Sequence, residues 1–269
     1  MDVSIVIINY KTYRLTCDCI ESVLAFTKDL AYEIILVENG SDEFKENQTY
    51  PWGEKVRIVI SRENLGFAGG NNLGIKYTRG KYILLLNSDT YLKDNAIKNA
   101  FHYIERHQNT GVVSAKLVFP DGRHQSVAQR FPSVKYKLFE LLRLQKLLPA
   151  GVAGKLLLGA FFDHKTNTSA DWVWGAFFMF RSEILKMLPE EKLDDTYFMY
   201  FEDMQWCMDI RNLGYEIHYC AEAEVVHIMG GSSANKNALM LKNEQVFMNK
   251  NYSAAEMWMI EKLDKMLAS

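Results

Sequence analysis

The stretch KYILLLNSD, residues 81–89, decides the fold class of this chain of 269 residues. Its apolar core does not alternate with polar residues, which is typical of a strand buried on both faces of a sheet. Similar runs lie at Val3–Asn9 (VSIVIIN), Glu33–Glu38 (EIILVE) and Val56–Ser61 (VRIVIS), with helical patterns between them. Short strands that alternate with helices predict an α/β fold with a doubly wound, mainly parallel sheet flanked by helices.

The composition excludes several classes of protein. Lys and Arg number 31 against 33 Asp and Glu, a net charge of −2, so the chain lacks the bulk positive charge of a nucleic-acid-binding protein. The four cysteines form no C-x-x-C pair, which disfavours a structural zinc site and favours reduced, cytosolic thiols. We find no signal peptide and no run near the ~20 apolar residues of a membrane span, so we expect a cytoplasmic protein.

The pattern changes after Pro120. In Val134–Leu148 a polar residue recurs at every third position, which predicts one helix that Pro149 ends. The segments that follow are a strand over Trp172–Phe180, a helix over Asp203–Leu213, a strand over Glu216–Cys220 and an amphipathic helical tail from Asn237 onward. We see no internal repeat, so one continuous domain with a modified second half is the simplest organisation.

Polar residues follow three of the predicted parallel strands, and ligands of open α/β sheets bind at this edge. They are Asn9-Tyr10, Glu38-Asn39 and Asn87-Ser88-Asp89. Glu38 can accept hydrogen bonds from a ribose or a base, and Asp89 can hold a divalent cation that takes diphosphate oxygens. The alternative is that Asn39 and Asp89 only form Asx turns.

The segment NLGFAGGNN, residues 64–72, follows a strand and opens a helix, which is a common setting for phosphate binding. It matches neither G-x-G-x-x-G nor G-x-x-x-x-G-K-[ST], so a dinucleotide fold and a P-loop are disfavoured. Its glycines allow a close approach of the backbone to a ligand. The alternative is a tightly packed helix start.

The segment DDTYFMYFED, residues 194–203, places an acidic pair after a run of aromatic residues. Aromatic surroundings raise the pKa of a carboxyl group toward the range of a general base, although Glu202 and Asp203 also suit the first turn of a helix. Trp172 and Trp174 can stack on sugars or pack in the core. His227, followed by Gly230-Gly231-Ser232-Ser233, is either structural or a ligand for metal or phosphate.

Taken in order, these segments resemble a known family. They are Ser4–Tyr10, Val37–Ser41, Asn64–Ala68, Asn71–Gly74, Asn87–Thr90, Asp171–Ala176, Phe198–Asp203, and His227 with its glycines. This series is similar to inverting glycosyltransferase family 2 with the GT-A fold, in particular its rhamnosyltransferase-like branch. The resemblance runs from about Val3 to about Ser233. It implies a GT-A type mixed, mainly parallel sheet flanked by helices, with a helical insert and a helical C-terminal tail.

The resemblance implies a role for each matched position. Glu202 and Asp203 are the catalytic acidic pair, with Asp203 as the base. The positions implied for the nucleotide sugar are Asn9, Tyr10, Glu38, Asn39, Asn64, Gly66, Asn71, Asn87 and Ser88. Trp174 and Gly175 lie where sugar and acceptor meet, and Asp89 with His227 binds Mg²⁺ or Mn²⁺. A base for the acceptor hydroxyl and a cation for the diphosphate suffice for an inverting transfer.

The implied domain covers residues 1–233, with a nucleotide-binding half at 1–119 and an acceptor half at 120–233. The second half contains the helical insert at about 134–162, and the tail is 234–269. The implied reaction moves a sugar from dTDP-rhamnose or a UDP-hexose to a hydroxyl of a glycan or lipid-linked acceptor in surface polysaccharide synthesis. A sugar nucleotidylyltransferase is disfavoured because its N-terminal glycine loop is absent.

The sequence departs from the family pattern at some positions. Glu38 stands where the family usually has Asp, and Asn87 replaces the first acid of the D-x-D motif. Gln205 and Asp209 stand where an acid and an arginine are common, which removes an expected ion pair. These two residues are the support for the alternative of a non-catalytic relative that binds nucleotide or glycan without turnover.

The insert lies outside the recognisable motifs. It carries Lys135, Lys137, Arg143, Lys146 and Lys155 against one acid, Glu140. We hypothesise that it contacts an anionic membrane peripherally, at the inner face of the cell membrane and near a lipid-linked acceptor. The alternatives are packing against the C-terminal helices or against a second subunit in a homodimer.

Overall fold

A computed structural model of the chain describes residues 1–45, 48–229 and 236–267. Its strands are β1 (Val3–Asn9), β2 (Tyr32–Asn39), β3 (Val56–Ser61), β4 (Tyr82–Asn87), β5 (Thr90–Leu92), β6 (Thr110–Val118), β7 (Ala128–Gln129), β8 (Thr168–Ala170), β9 (Trp172–Val173), β10 (Phe177–Arg181) and β11 (Glu216–His227). Its α-helices are α1 (Tyr13–Phe26), α2 (Gly66–Ile75), α3 (Ala96–Arg106), α4 (Val134–Leu141), α5 (Ala150–Leu157), α6 (Glu202–Asn212), α7 (Lys236–Asn251) and α8 (Ala254–Leu267).

The first half of the chain forms the parallel part of a nine-stranded sheet, in the order β3-β2-β1-β4. β1 pairs in parallel with both β2 and β4, and β2 pairs in parallel with β3. Strands β1 and β2 are buried along almost their whole length, as their unbroken apolar runs predict. Because these strands are parallel, the polar residues that follow β1, β2 and β4 all lie at one edge of the sheet.

The second half of the chain extends the same sheet in the order β10-β6-β11-β5. β10 is antiparallel to β4 and β6, whereas β11 is parallel to β6. The prediction of one strand over Trp172–Phe180 was wrong. The chain leaves the extended conformation at residues 174–176, between β9 and β10, and the site described below explains why.

The insert also differs from its prediction. Instead of one helix over Val134–Leu148, α4 ends at Leu141, and Arg143 adopts a left-handed backbone conformation with φ of 54°. A short 3-10 turn and the helix α5 follow. Lys137 of α4 forms an ion pair with Asp264 of α8, so the insert packs against the C-terminal helices.

The predicted helical tail consists of α7 and α8. Phe247 of α7 is fully buried and forms a second hydrophobic cluster with Tyr197 and Met204. The predicted domain boundary at residue 233 falls outside the described residues, as do the glycines and serines predicted after His227. Within the described part of the chain, no helix is both long and apolar enough to span a membrane.

Candidate active site

Glu38 organises the loop that follows β2. Its carboxylate is completely buried and accepts hydrogen bonds from the backbone N–H groups of Ser41, Asp42 and Phe44, at 2.6, 3.1 and 3.2 Å. The Ser41 hydroxyl and the Asn9 amide also donate to it, at 2.6 and 2.8 Å. With this set of donors, the Glu38 carboxylate shapes the loop and presents no free oxygen to a ligand.

Asn9, at the end of β1, is also fully buried. Its amide nitrogen donates to Glu38 and, at 2.9 Å, to the partly exposed Glu43, and its oxygen accepts from the hydroxyl of Thr16 at 2.8 Å. Next to it, Ser88 lies 3.1 Å from the hydroxyl of Thr12, and Tyr10 is 38% exposed. The structure therefore brings the ends of β1, β2 and β4 together, with Tyr10 and Glu43 reaching the surface.

Asparagine side chains hold the glycine-rich segment in place. The Asn39 amide donates to Asn64 Oδ1 and to the carbonyl of Gly66, both at 3.1 Å. Gly66 has a φ of 74°, and a Cβ there would lie 2.2 Å from the carbonyl oxygen of Phe198. Asn71 is buried and donates to the carbonyl of Phe67 at 3.0 Å. The start of α2 is thus packed directly against the loop before the acidic pair.

Asp203 lies in the first turn of α6 and faces the break between β9 and β10. The N–H of Gly175 donates to its Oδ2 at 3.0 Å, and the N–H of Met204 donates to its Oδ1 at 2.8 Å. Burial raises the pKa of Asp203 to about 6, against the opposing effect of these two hydrogen bonds. Part of Asp203 remains exposed. A carboxylate of this kind can accept a proton near neutral pH.

Glu202 differs from its neighbour. Its side chain is buried, and its Oε2 atom has no hydrogen-bond partner among the described residues. Burial, reinforced by the charge of Asp203, raises the pKa of Glu202 well above its usual value. Burial therefore disfavours the charged form of Glu202, whereas Asp203 keeps two N–H donors on its carboxylate, so Asp203 is the member of the pair that is better suited to act as a base.

Trp174 and Gly175 lie beside this carboxylate. Trp174 is partly buried against the main core, and a Cβ on Gly175 would lie 3.1 Å from the ring of Phe67. The indole N–H of Trp172 donates to the carbonyl of Arg130 at 3.2 Å, and its ring packs in the core. Of the two tryptophans considered for sugar stacking, Trp172 is therefore the one whose contacts are those of a residue packed in the core.

Asp89 lies between β4 and β5, and it contacts His227, the last residue of β11. Asp89 Oδ1 lies 3.3 Å from Nε2 of His227, and the two side chains are only 19% and 8% exposed. Gln125 settles the histidine tautomer. Its amide nitrogen donates to the His227 carbonyl at 2.8 Å, so its oxygen, 2.8 Å from Nδ1, accepts a proton carried there. In the neutral ring the lone pair of Nε2 then points toward Asp89.

This donor set suits a divalent cation that shares its coordination with a ligand. The described residues contain no cluster of three or more His, Cys, Asp or Glu side chains for a metal. Asp89 and His227 would therefore supply two protein ligands and leave positions for phosphate oxygens and water, as Mg²⁺ and Mn²⁺ often require. Nearby, the Oδ1 atom of Asn87 is buried without a hydrogen-bond partner among the described residues.

A short backbone connection links this pair to Asp203. The N–H of Asn87, at the end of β4, donates to the carbonyl of Ala176 at 3.0 Å. Ala176 directly follows Gly175, whose N–H binds Asp203. The break in the predicted strand therefore joins the Asp89 side of the edge to the acidic pair through two hydrogen bonds.

Sequence reasoning did not identify Gln125 or Glu43, and it left open what the departures at Gln205 and Asp209 do to the local geometry. Gln205 and Asp209 replace the expected ion pair with a hydrogen bond of 2.8 Å, and the Asn251 amide of α7 also donates to Gln205, at 2.9 Å.

A cavity of about 920 Å³ lies elsewhere, between α2 and residues 182–195, and none of the predicted site residues lines it.

Comparison with known proteins gives a consistent result. The profile of glycosyl transferase family 2 matches residues 4–188, so the acidic pair of α6 lies beyond the matched part. The low-salt glycan biosynthesis hexosyltransferase Agl10 of Haloferax volcanii is 24% identical over 230 residues, which are 84% of this chain and 67% of that protein. The rhamnosyltransferase WbbL of Escherichia coli K12 is 25% identical over 180 residues, or 62% of each chain.

A crystal structure of GalNAc-T7 with UDP, GalNAc and Mn²⁺ has a similar fold. The TM-score is 0.65 at 15% sequence identity, and the match covers 92% of this chain and 48% of GalNAc-T7. The predicted fold, a GT-A type mixed and mainly parallel sheet with flanking helices and a helical tail, is confirmed.

Proposed function

The chain belongs to glycosyltransferase family 2, and on that basis we propose that it transfers a sugar, with inversion, from a nucleotide-sugar donor to a hydroxyl group of a glycan or lipid-linked acceptor. The proposed donor is dTDP-rhamnose or a UDP-hexose, and the proposed pathway is surface polysaccharide synthesis. The relatives named hexosyltransferase and rhamnosyltransferase support this range of donors. The single observation that carries the proposal is the partly buried Asp203 carboxylate in the first turn of α6, which the N–H of Gly175 holds by a hydrogen bond.

Asp203 acts on the acceptor. Its ionised carboxylate takes the proton of the acceptor hydroxyl while that oxygen forms a bond to the anomeric carbon and the bond to the diphosphate breaks. The Gly175 and Met204 N–H groups hold the carboxylate in one orientation during this step. A single base and a stabilised leaving group suffice, since an inverting transfer forms no covalent enzyme intermediate.

We propose that Asp89 and His227 hold Mg²⁺ or Mn²⁺ together with the donor. A bound cation would neutralise the charge that develops on the departing diphosphate. The hydrogen bond from His227 Nδ1 to Gln125 keeps the ring in the tautomer that offers Nε2 to a metal. Mn²⁺ in the GalNAc-T7 structure, which shares the fold, supports this proposal.

We propose that the donor binds between the ends of β1 and β2 and the start of α2. We propose that Tyr10 and Glu43 contact the nucleoside, and that Glu38, Asn9 and Asn39 act indirectly by fixing the loops around it. Asn64, Gly66 and Asn71 fix the start of α2, and Ser88 and Asn87 border the diphosphate. Trp174 and Gly175 border the sugar beside Asp203.

A screen of UDP, dTDP, GDP and CMP by thermal shift, each with and without Mn²⁺, tests the donor site. A ligand that binds the folded state at a hundredfold excess over its Kd stabilises that state by about 2.7 kcal/mol. We expect a metal-dependent shift with one nucleotide, lost in Asp89→Asn. No shift with any nucleotide would overturn the donor site. Binding without release of nucleotide from any sugar donor, with acceptor supplied, would establish the non-catalytic alternative.

We propose that the insert contacts anionic membranes. Leu142, Leu147 and Val152 are 64%, 79% and 53% exposed, and the exposed cations Arg143 and Lys146 lie between the two leucines. We expect sedimentation with phosphatidylglycerol vesicles at low salt, and loss of it in Leu147→Glu. Absence of sedimentation would overturn the proposal. A dimer mass in light scattering that Leu147→Glu reduces to the monomer would assign the same face to a homodimer.

A further inference from the structure

The loop that leads into the acidic pair has an unusual backbone. Tyr200 and Phe201 are consecutive non-glycine residues in the left-handed region, with φ of 70° and 74°. Side-chain sterics disfavour this conformation, which persists only where the surroundings enforce it. Phe201 directly precedes α6, so these two residues set the direction in which Glu202 and Asp203 leave the loop.

A side chain of the C-terminal helix α7 holds this backbone. The amide nitrogen of Asn243 donates to the carbonyl of Met199 at 2.8 Å and to the carbonyl of Tyr200 at 3.0 Å. Asn243 is only 6% exposed, and both of its N–H groups are used in these two bonds. Phe247, one turn later on the same face of α7, packs against the ring of Phe201 with 5.9 Å between ring centres.

The other side of the loop is fixed by the start of α2. The N–H of Phe67 donates to the carbonyl of Phe198 at 2.7 Å, and the absence of a side chain on Gly66 permits this close contact. Residues 198–201 are therefore held between α2, which borders the proposed donor pocket, and α7. The contact between this loop and α7 depends on a segment of the chain well beyond the family match at residues 4–188.

We propose that Asn243 is a positioning residue of the active site, which keeps residues 200 and 201 in the left-handed conformation and thereby directs Asp203 at Gly175. The catalytic role of Asp203 in this inference rests on the proposed function. The hydrogen bonds and the backbone conformation do not depend on it. Without the two hydrogen bonds from Asn243, the backbone relaxes toward ordinary φ values. Asp203 then loses the N–H of Gly175.

The Gly175 amide gives a readout that does not depend on catalysis. Protein labelled with ¹³C-carbonyl tryptophan and ¹⁵N-glycine gives two selected amide signals, since the sequence has Trp-Gly pairs only at Trp52-Gly53 and Trp174-Gly175. The Gly175 signal should titrate with a midpoint near 6, because its N–H binds the Asp203 carboxylate. Gly53 is the internal reference.

In Asn243→Ala we expect the titration at Gly175 to disappear or its midpoint to rise by at least one pH unit, because the lost hydrogen bond favoured the charged form of Asp203. Asn251→Ala is the matched control, because Asn251 lies on the same helix and donates to Gln205 and to the Phe247 carbonyl, both at 2.9 Å. It should keep the wild-type midpoint. An unchanged Gly175 titration in Asn243→Ala would overturn the proposal, even if the variant melts at a lower temperature.

A second substitution tests how Asn243 acts. Glycine adopts a φ of 70° without steric cost, so Tyr200→Gly in the Asn243→Ala background should return the Gly175 titration toward wild type. No such recovery would overturn the idea that Asn243 acts through this strained backbone. If Asn243→Ala does not fold, Asn243→Asp, which keeps the shape but lacks both donors, is titrated instead. Failure to find any active donor would overturn the proposed function and leave these results standing.

Discussion

The backbone N–H of Gly175 and the carboxylate of Asp203 form a hydrogen bond of 3.0 Å between the break in the sheet and the first turn of α6. This bond favours the charged form of Asp203, whereas burial favours the neutral form. Burial is the larger effect, and the pKa rises to about 6. The carboxyl group is therefore ionised in most molecules at neutral pH, yet it remains basic enough to accept a proton.

The transfer rate should follow the ionisation of Asp203. Below pH 6 the base is protonated, so kcat/KM should fall about tenfold for each further unit of pH and reach a plateau above pH 7. Asp203→Asn should lower kcat by a factor of about 10²–10⁴ and leave nucleotide binding nearly unchanged. Release of nucleotide from the donor, measured between pH 4.5 and 8, provides the profile.

Glu202→Gln is the matched control for that profile. Glu202 is buried and its pKa is raised, which disfavours its charged form, so its amide replacement should keep the activity within about tenfold and the midpoint near 6. If Glu202→Gln abolished transfer while Asp203→Asn did not, the two roles would have to be exchanged. A rate that does not change between pH 5 and 8 would contradict both assignments.

Stability should depend on the same group, with a defined sign. The pKa of Asp203 is higher in the folded chain, about 6, than its ordinary value of 3.8. The folded state therefore binds the proton more tightly, and the resulting stabilisation is complete below pH 3.8 and lost as the pH rises through 6. Asp203→Asn lacks the carboxyl group, so this variant does not lose that stabilisation as the pH rises. Its melting temperature, measured by circular dichroism, should rise relative to wild type between pH 4 and pH 7, and a constant difference would contradict the assigned pKa.

The parallel half of the sheet could be predicted from the sequence because its signal is local. β1, β2 and β4 each contain a run of at least four consecutive apolar residues, and a polar residue stands at the point where each strand ends. The convergence of Asn9, Glu38 and Asn87 then follows from parallel pairing alone. The function of each side chain does not follow, because Glu38 at the predicted position turns its carboxylate into its own loop.

The parts that could not be predicted depend on contacts distant in sequence. The break between β9 and β10 is stabilised by hydrogen bonds to Asn87 and Asp203, and nothing in Trp172–Phe180 itself indicates it. Gln125 meets His227 across 102 positions, and Asn243 meets Tyr200 across 43. A glutamine or asparagine carries no local signal of such a partner.

Gln125 should control metal affinity without touching the metal. Loss of its bond to Nδ1 frees the His227 ring to change tautomer and orientation, so Gln125→Ala should weaken Mn²⁺ binding in the presence of UDP by about 10–100-fold. Electron paramagnetic resonance of free Mn²⁺ measures this affinity. Gln129→Ala is the matched control, because the Gln129 amide donates to the nearby carbonyl of Ser126. Unchanged Mn²⁺ affinity in Gln125→Ala, together with loss of binding in Asp89→Asn, would show that the tautomer is not important.

Glu38 and Glu43 should separate loop stability from nucleoside recognition. Both accept a hydrogen bond from the Asn9 amide, but Glu38 is fully buried under five donors and Glu43 is partly exposed. Glu38→Gln places an amide N–H₂ against backbone donors, which costs about 1–3 kcal/mol for each group left unsatisfied. We expect its melting temperature to fall by roughly 5 °C.

Glu43→Gln should give the opposite result. The partly exposed side chain contributes little to the fold, so the melting temperature should change by less than about 2 °C. Its carboxylate is the acceptor that the loop leaves for a nucleoside N–H or ribose hydroxyl, and its loss should weaken nucleotide binding about tenfold or more, measured by calorimetry. Undiminished affinity in Glu43→Gln would assign nucleoside recognition to other groups. Weaker binding in Glu38→Gln without a fall in melting temperature would mean that Glu38 turns outward to the nucleoside, against the contacts it makes in the loop.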